Sequence, residues 1–185
     1  FVPQEAYSRY ALQGEQKYNV IIDDKILFHD LMTYYGVPVP ERFFTYRGGV
    51  FMRNSTILSE MEIDNILGSA VDERIFVKRY TGGAGSGISV LTRNIDGNYV
   101  DSDNHIVTAS YIRNRYNEDY IFEKQIVQSE EVAKFNADSV NTIRVLTYNN
   151  KIVSASIRFG GKGDFIDNVS KGGVAVSIDI RTGEL

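Results

Sequence analysis

The stretch Arg74-Ile75-Phe76-Val77-Lys78, then Thr81-Gly82-Gly83-Ala84-Gly85-Ser86-Gly87, then Ile88-Ser89-Val90-Leu91-Thr92, constrains this chain most. Its flanks are rich in β-branched and aromatic residues and read as two strands joined by a glycine-rich hairpin loop. The glycines, broken only by Ala84 and Ser86, let the backbone fold tightly over a ligand and aim several N–H groups at it. Phosphate oxygens are the usual target of such a nest. A plain hairpin loop is the other reading, and the loop alone does not choose. Three familiar motifs fail. Gly87 is followed by Ile88, so the Lys-Ser or Lys-Thr of a Walker A loop is missing. A strand rather than a helix follows the loop, which excludes a dinucleotide fingerprint. A protein kinase places its glycine loop before its phosphate-binding lysine, whereas Lys78 comes first here.

Composition narrows the chemistry further. A chain of 185 residues with net charge −4 is a poor candidate for gripping a nucleic-acid backbone. It has no cysteine, which removes disulfide scaffolds, thiol nucleophiles and Cys-based zinc sites. Its two histidines, His29 and His105, are too few for a multi-His metal centre, and neither has an evident catalytic partner in the sequence. No apolar run approaches the roughly 18 residues of a membrane span. No signal-peptide pattern is visible, and the cysteine-free composition suits the cytosol. The chain does not begin with Met and stops at Gly183-Glu184-Leu185, just after a turn, so it reads as a fragment.

Residues 1–22 show no strong period. Asp23 or Asp24 is expected to cap a helix with apolar positions Ile26, Leu27, Leu31, Met32 and Tyr35, stopped by Gly36 and the Pro38 and Pro40 that follow. A short strand is expected over Phe43–Arg47. Ser59 and Glu62 form a capping-box pattern ahead of Ile63, Ile66 and Leu67, with Gly68 closing that helix. Asp96-Gly97 reads as a hairpin turn, Ala109–Arg115 as a short helix and Tyr120–Glu123 as a strand. Val140–Tyr148 and Ile152–Phe159 form a hairpin across Asn149-Asn150, and Gly173–Ile180 a further strand. Helices come early and strands late, mostly antiparallel, so the expected class is α+β. A two-residue turn at Asn149-Asn150 would pair position 141 with 158 and 144 with 155, putting Arg144 and Arg158 on opposite sides of the sheet.

The order lysine, glycine hairpin, return strand resembles the phosphate-binding arrangement of the ATP-grasp superfamily. Asp23-Asp24-Lys25, the helix and Gly36-Val37-Pro38-Val39-Pro40 resemble its "N-D-K, helix, G-x-P-x-P" segment, and Lys25 and Lys78 have the usual separation of its two nucleotide lysines. Tyr120-Ile121-Phe122-Glu123-Lys124-Gln125-Ile126 is similar to the adenine-binding hinge between lobes, with the Glu-Lys-x-aliphatic run of D-alanine–D-alanine ligases. Ser139-Val140-Asn141-Thr142-Ile143-Arg144-Val145, Arg158-Phe159-Gly160 and Asp167-Asn168-Val169-Ser170-Lys171-Gly172-Gly173 resemble the sugar-transfer-associated ATP-grasp family. Gly163-Asp164-Phe165 through Gly173 also resembles the ribosomal-protein glutamate ligases. The likeness covers about residues 19–185, with the motifs in order.

The resemblance implies two α+β lobes with antiparallel sheets gripping a nucleotide: an N-terminal segment over 1–22, a glycine-loop lobe over 23–121, and the hinge with the start of a second lobe over 122–185. It implies ATP and Mg²⁺ as cofactors. Lys78 would meet the α- and β-phosphates beside the loop residues Gly83, Gly85, Ser86 and Gly87, with Lys25 approaching from the other lobe. A solvated lysine is the bland reading of each, although a cation in a first helical turn opposes the helix dipole. Glu123 would take the adenine amino group and the backbone of Gln125 or Ile126 would meet the ring edge, with Phe76, Phe122 and Ile126 as walls and Lys124 also among the nucleotide-binding candidates. Glu130 has the separation from Glu123 of the ribose-binding acid in D-alanine ligases, with Glu131 a competitor and Gln128 another candidate. Arg158, beside Asn141, is favoured for the γ-phosphate or an acyl-phosphate, and Arg144 for an acceptor-site or structural role. Asp167 and Asn168 suit either magnesium or substrate, or plain turn chemistry.

The family's main metal ligands, an Asp and a Glu-x-Asn pair, are expected beyond Leu185. The activity implied is ATP-dependent joining of a carboxylate to an amine, or a related ligation, through an acyl-phosphate. The setting implied is bacterial surface polysaccharide assembly, with an unidentified carboxylate donor and an amine or sugar acceptor. A nucleotide-binding domain without turnover and an α+β interaction module without a nucleotide site remain open alternatives.

Overall fold

In the computed structural model of the chain, the described residues are 18–82, 87–161, 163, 167, 169 and 172–185. They belong to two compact units, one ending at Gln125 and one spanning Ile126–Leu185.

The first unit opens with a short helix α1 (Asn19–Asp23) and then α2 (Lys25–Tyr34). Asp24 separates them: its extended backbone ends α1, and its carboxylate accepts from the amides of Ile26 and Leu27. Gly36, at φ +68°, ends α2 in the left-handed region, as expected. The chain continues through β1 (Arg42–Arg47), β2 (Val50–Arg53), β3 (Thr56–Leu58), α3 (Glu60–Ser69), β4 (Arg74–Arg79), β5 (Ile88–Arg93), β6 (Tyr99–Val100), α4 (Ala109–Arg115) and β7 (Tyr120–Lys124). Strands and helices interleave, so the class is α+β without the expected segregation of early helices from late strands. The capping box of Ser59 and Glu62 is present on α3. That helix passes through Gly68 and ends at Ser69 instead of closing at the glycine.

The sheet has seven strands in the order β3-β2-β1-β7-β4-β5-β6, every pairing antiparallel. Alternation gives it two different faces. Phe44, Ile75, Val77, Leu91 and Phe122 point to one face and pack with Phe51, with Ile63 and Leu67 of α3, and with Ala109 and Ile112 of α4. The opposite face carries Phe76, Lys78, Ile121 and Glu123, by the pairings Phe76 with Glu123 and Lys78 with Ile121. Ile26 of α2 and Ile121 are buried but lie outside the main cluster. The Lys25 amide donates to the Tyr80 carbonyl at 2.8 Å, tying the start of α2 to the end of β4.

The second unit contains α5 (Glu130–Ala133) and a three-stranded antiparallel sheet, β10 (Val174–Ile178), β9 (Lys151–Phe159) and β8 (Thr142–Tyr148), in that order. The β8–β9 turn falls at Asn149 and Asn150, at φ +48° and +59°, the positive values a two-residue hairpin of the right twist requires. The expected register is corrected. A bulge between Leu146 and Thr147 takes up Val153, so Thr142 faces Arg158 and Arg144 faces Ser156. Arg144 and Arg158 therefore share one face of the sheet.

Candidate functional site

Strand alternation lifts Lys78 out of the hydrophobic face, and β7 brings Glu123 beside it. The Lys78 Nζ lies 2.6 Å from the Glu123 Oε2, and the Glu123 side chain is only 7% exposed. Lys25 reaches the same region from the first position of α2, donating from Nζ to the Gly82 carbonyl at 2.6 Å. Partial burial, and then the charge of Lys78, hold the Lys25 ammonium below its ordinary value; Glu123, Asp23 and Asp24 oppose that shift. Two ammonium groups and one carboxylate thus gather where the glycine loop departs. Lys25 lies in the same unit as Lys78, not in the other one.

Gly82 and Gly87 bound the loop at φ +93° and +68°. Gly83, Gly85, Ser86 and Asn168 lie outside the described residues. A Cβ on Gly87 would fall 2.5 Å from the Arg79 Cδ, and the Gly87 carbonyl accepts from the Arg79 amide at 3.2 Å. Arg79 in turn is bonded to Glu118.

Other expected residues sit elsewhere. Lys124 alternates away from Glu123 and bridges Asp72 at 3.2 Å and Glu41 at 3.7 Å, with Asp72 the main cause of its raised pKa. Phe122 is fully buried and stacks on Phe44 at 4.4 Å, so it walls the core and not the Glu123 face. Phe76 does lie on that face, directly opposite Glu123. Ile126 is exposed, and Glu130 begins α5 in solvent.

In the second unit, Gln128 and Asn141 hold the chain entering β8. The Gln128 Nε2 donates to the carbonyls of Asn136 and Ser139, and its Oε1 accepts from the amide and side chain of Asn141. Asn136 extends the network to the Gly160 carbonyl at 2.6 Å. Thr142 donates to Asp167, and Arg158 lies across the ladder from Thr142 with Arg144 on the same face. Among the described residues no acid is within ion-pair range of Arg144 or Arg158. Their face also carries Ser156 and Ser177.

A single carboxylate, Asp167, does not supply the several oxygen ligands magnesium takes. The one group of potential ligands among the described residues is Asp101, Asp103 and His105. It does not suit magnesium: it includes an imidazole, and Asp101 is already bonded by Tyr111 and by the amides of Asp103 and His105. Burial, and then that bond, push the Tyr111 phenol up to about 12. Asn168, the other residue expected near magnesium, lies outside the described residues.

Sequence reading missed Arg42. It stands directly opposite Glu123, because β1 bulges between Arg42 and Phe44. An arginine before two phenylalanines is a visible oddity, but its face depends on the bulge.

A mixed α+β chain built on antiparallel sheets is consistent with the ATP-grasp fold. The chain belongs to the sugar-transfer associated ATP-grasp family, whose model matches residues 6–185. No curated protein and no solved structure matches it.

Proposed function

We propose that the chain binds ATP, as its magnesium complex, on the Lys25–Lys78–Glu123 face, and that it serves a ligase acting through an acyl-phosphate. The observation that carries the reading is the placement of two lysines at the root of one glycine hairpin. Neighbouring ammonium groups repel, and Lys25 is partly desolvated. A polyphosphate relieves both penalties, because its oxygens accept charge-assisted hydrogen bonds from each amine. Glu123 is an acceptor suited to the adenine amino group, with Phe76 across from it as an apolar neighbour.

In the proposed reaction, a donor carboxylate oxygen attacks the γ-phosphorus, the bond to the β-phosphate oxygen breaks, and ADP leaves. An amine then attacks the acyl carbon, phosphate leaves with the C–O bond electrons, and the amine nitrogen loses a proton. Catalysis of this kind is positioning and charge neutralisation, with no protein nucleophile. Within the second unit, the shared face of Arg144 and Arg158 supports an anion site there, for which a donor carboxylate is a suitable ligand. The family supports a donor or acceptor tied to sugar transfer, and a place in surface polysaccharide assembly is the finer proposal.

Thermal unfolding with ATP and Mg²⁺ tests the cradle. A ligand at a hundredfold excess over Kd stabilises by about 2.7 kcal/mol. The expected result is a rise in Tm that Lys78→Ala abolishes. A chain whose Tm ignores ATP, or a Lys78→Ala variant that responds equally, sinks the reading. ADP release that requires a carboxylate, and continues over many turnovers only when an amine is also present, separates the ligase from a nucleotide-binding domain without turnover.

A further inference from the structure

Arg42 presents a structural puzzle. In an uninterrupted strand it would share the face of Phe44 and Tyr46 and enter the hydrophobic core. The bulge at Phe43 prevents this: Phe43 and Phe44 both join the core, and Arg42 lands opposite Glu123. There its side chain is only 9% exposed. Nη2 donates to the Asp30 Oδ1 of α2 at 2.6 Å, while Nη1 is buried with no hydrogen-bond partner among the described residues. An unsatisfied N–H on a buried cation is costly, and such groups call for an explanation.

Glu123 supplies the other half. Its carboxylate is buried, and Lys78 sits on it at 2.6 Å. On the nucleotide reading above, Lys78 is also a phosphate ligand. One ammonium cannot hold both anions at full strength, and a buried carboxylate that loses its cation is strongly destabilised.

We propose that Arg42 is a positioning residue that takes up Glu123 when Lys78 turns to the phosphates of ATP. The guanidinium suits this role where an ammonium does not. Its planar fork can leave Nη2 on Asp30 while Nη1 turns to Glu123, so no anion is stranded at either step. The spare N–H of the unliganded chain is then the donor that the liganded chain uses, and Glu123 stays fixed as an acceptor for the base. The inference rests on the nucleotide reading, and its test is arranged to fail separately.

The test is a double-mutant cycle on the intact chain, with ATP and Mg²⁺ as the probe and both ATP affinity and the Tm without ATP measured. Arg42→Met is expected to weaken ATP binding by about a hundredfold or more, the scale of one stranded buried charge. The Tm without ATP should change little, because Lys78 still covers Glu123. In a Glu123→Gln background no charge is left to cover, so adding Arg42→Met should cost almost no further affinity. Arg42→Lys keeps a cation for Asp30 but has a single ammonium, and it should lose affinity too; this variant keeps the test open if the Met variant folds poorly. A merely structural Arg42 would lower the Tm without ATP by the same amount in both backgrounds. An Arg42→Met chain that binds ATP like the parent, or loses the same factor with Gln at 123, overturns the proposal and leaves the cradle standing. A parent chain that ignores ATP removes the cradle and this inference together.

Discussion

Lys25 is held in its charged form against its own surroundings. Its folded-state pKa lies below the ordinary 10.5, first through partial burial and then through Lys78. The sign follows from linkage: the unfolded chain holds this proton more tightly, so the cost to the native state is full below the folded pKa and fades as pH rises toward 10.5. Lys25→Met should therefore keep or raise the Tm near neutral pH, lose that advantage at strongly alkaline pH, and lose the ATP-induced shift. A variant that is markedly less stable at neutral pH contradicts this account. Gly87 makes the opposite kind of demand. Its φ is +68°, and a Cβ would meet the Arg79 Cδ at 2.5 Å. Gly87→Ala should cost about 1–2 kcal/mol from the left-handed backbone alone, more if Arg79 leaves Glu118, measured by chemical denaturation. The strand positions of Lys78 and Glu123 and the helix-start position of Lys25 are local features that the sequence shows, whereas the roles assigned to them rest on the family resemblance. Arg42 was not, because one extra residue in β1 decides which face it occupies.

Elements bounded by local chemistry read well from the sequence, and those set by pairing read poorly. Asp24 on α2, Ser59 with Glu62 on α3, and Asn149-Asn150 between β8 and β9 each terminate or turn the chain through their own side chains or backbone preferences. Ser59→Ala should accordingly cost about 1 kcal/mol, since its hydroxyl accepts from the Glu62 amide at the helix start. Asn150→Ala should destabilise by about 1 kcal/mol, because alanine resists the φ of +59° that the turn requires, whereas Asn150→Gly should be neutral or stabilising. Unfolding curves of the pair check the sign. The short strands β2 and β3 escaped notice because a three-residue strand such as Thr56–Leu58 carries too little periodicity. The Val153 bulge escaped for a deeper reason. Nothing in Ile152-Val153-Ser154 distinguishes a paired residue from an extra one, yet that choice moves Arg144 onto the face of Arg158.

Apolar burial is divided unequally across the chain. Every buried hydrophobic side chain among the described residues lies between Ile26 and Phe122, within the first unit. That unit has a seven-stranded sheet with α3 and α4 over one face. In the second unit, Ile143 is 64% exposed, Val145 49% and Val174 58%, all on one face of a three-stranded sheet. Folding free energy comes mainly from apolar area removed from water, and a three-stranded sheet needs its hydrophobic face covered to stand alone. The first unit should therefore fold by itself and the second should not. Residues 18–125 expressed alone should unfold in one cooperative transition, whereas residues 126–185 alone should show none and should bind a hydrophobic dye. Lys25, Arg42, Lys78 and Glu123 all belong to the first unit. On the proposed reading, the 18–125 piece should keep a measurable ATP-induced rise in Tm. A piece that folds but ignores ATP, beside a whole chain that responds, would shift the weight of nucleotide recognition onto the second unit. The Arg144–Arg158 face would then be the first place to mutate.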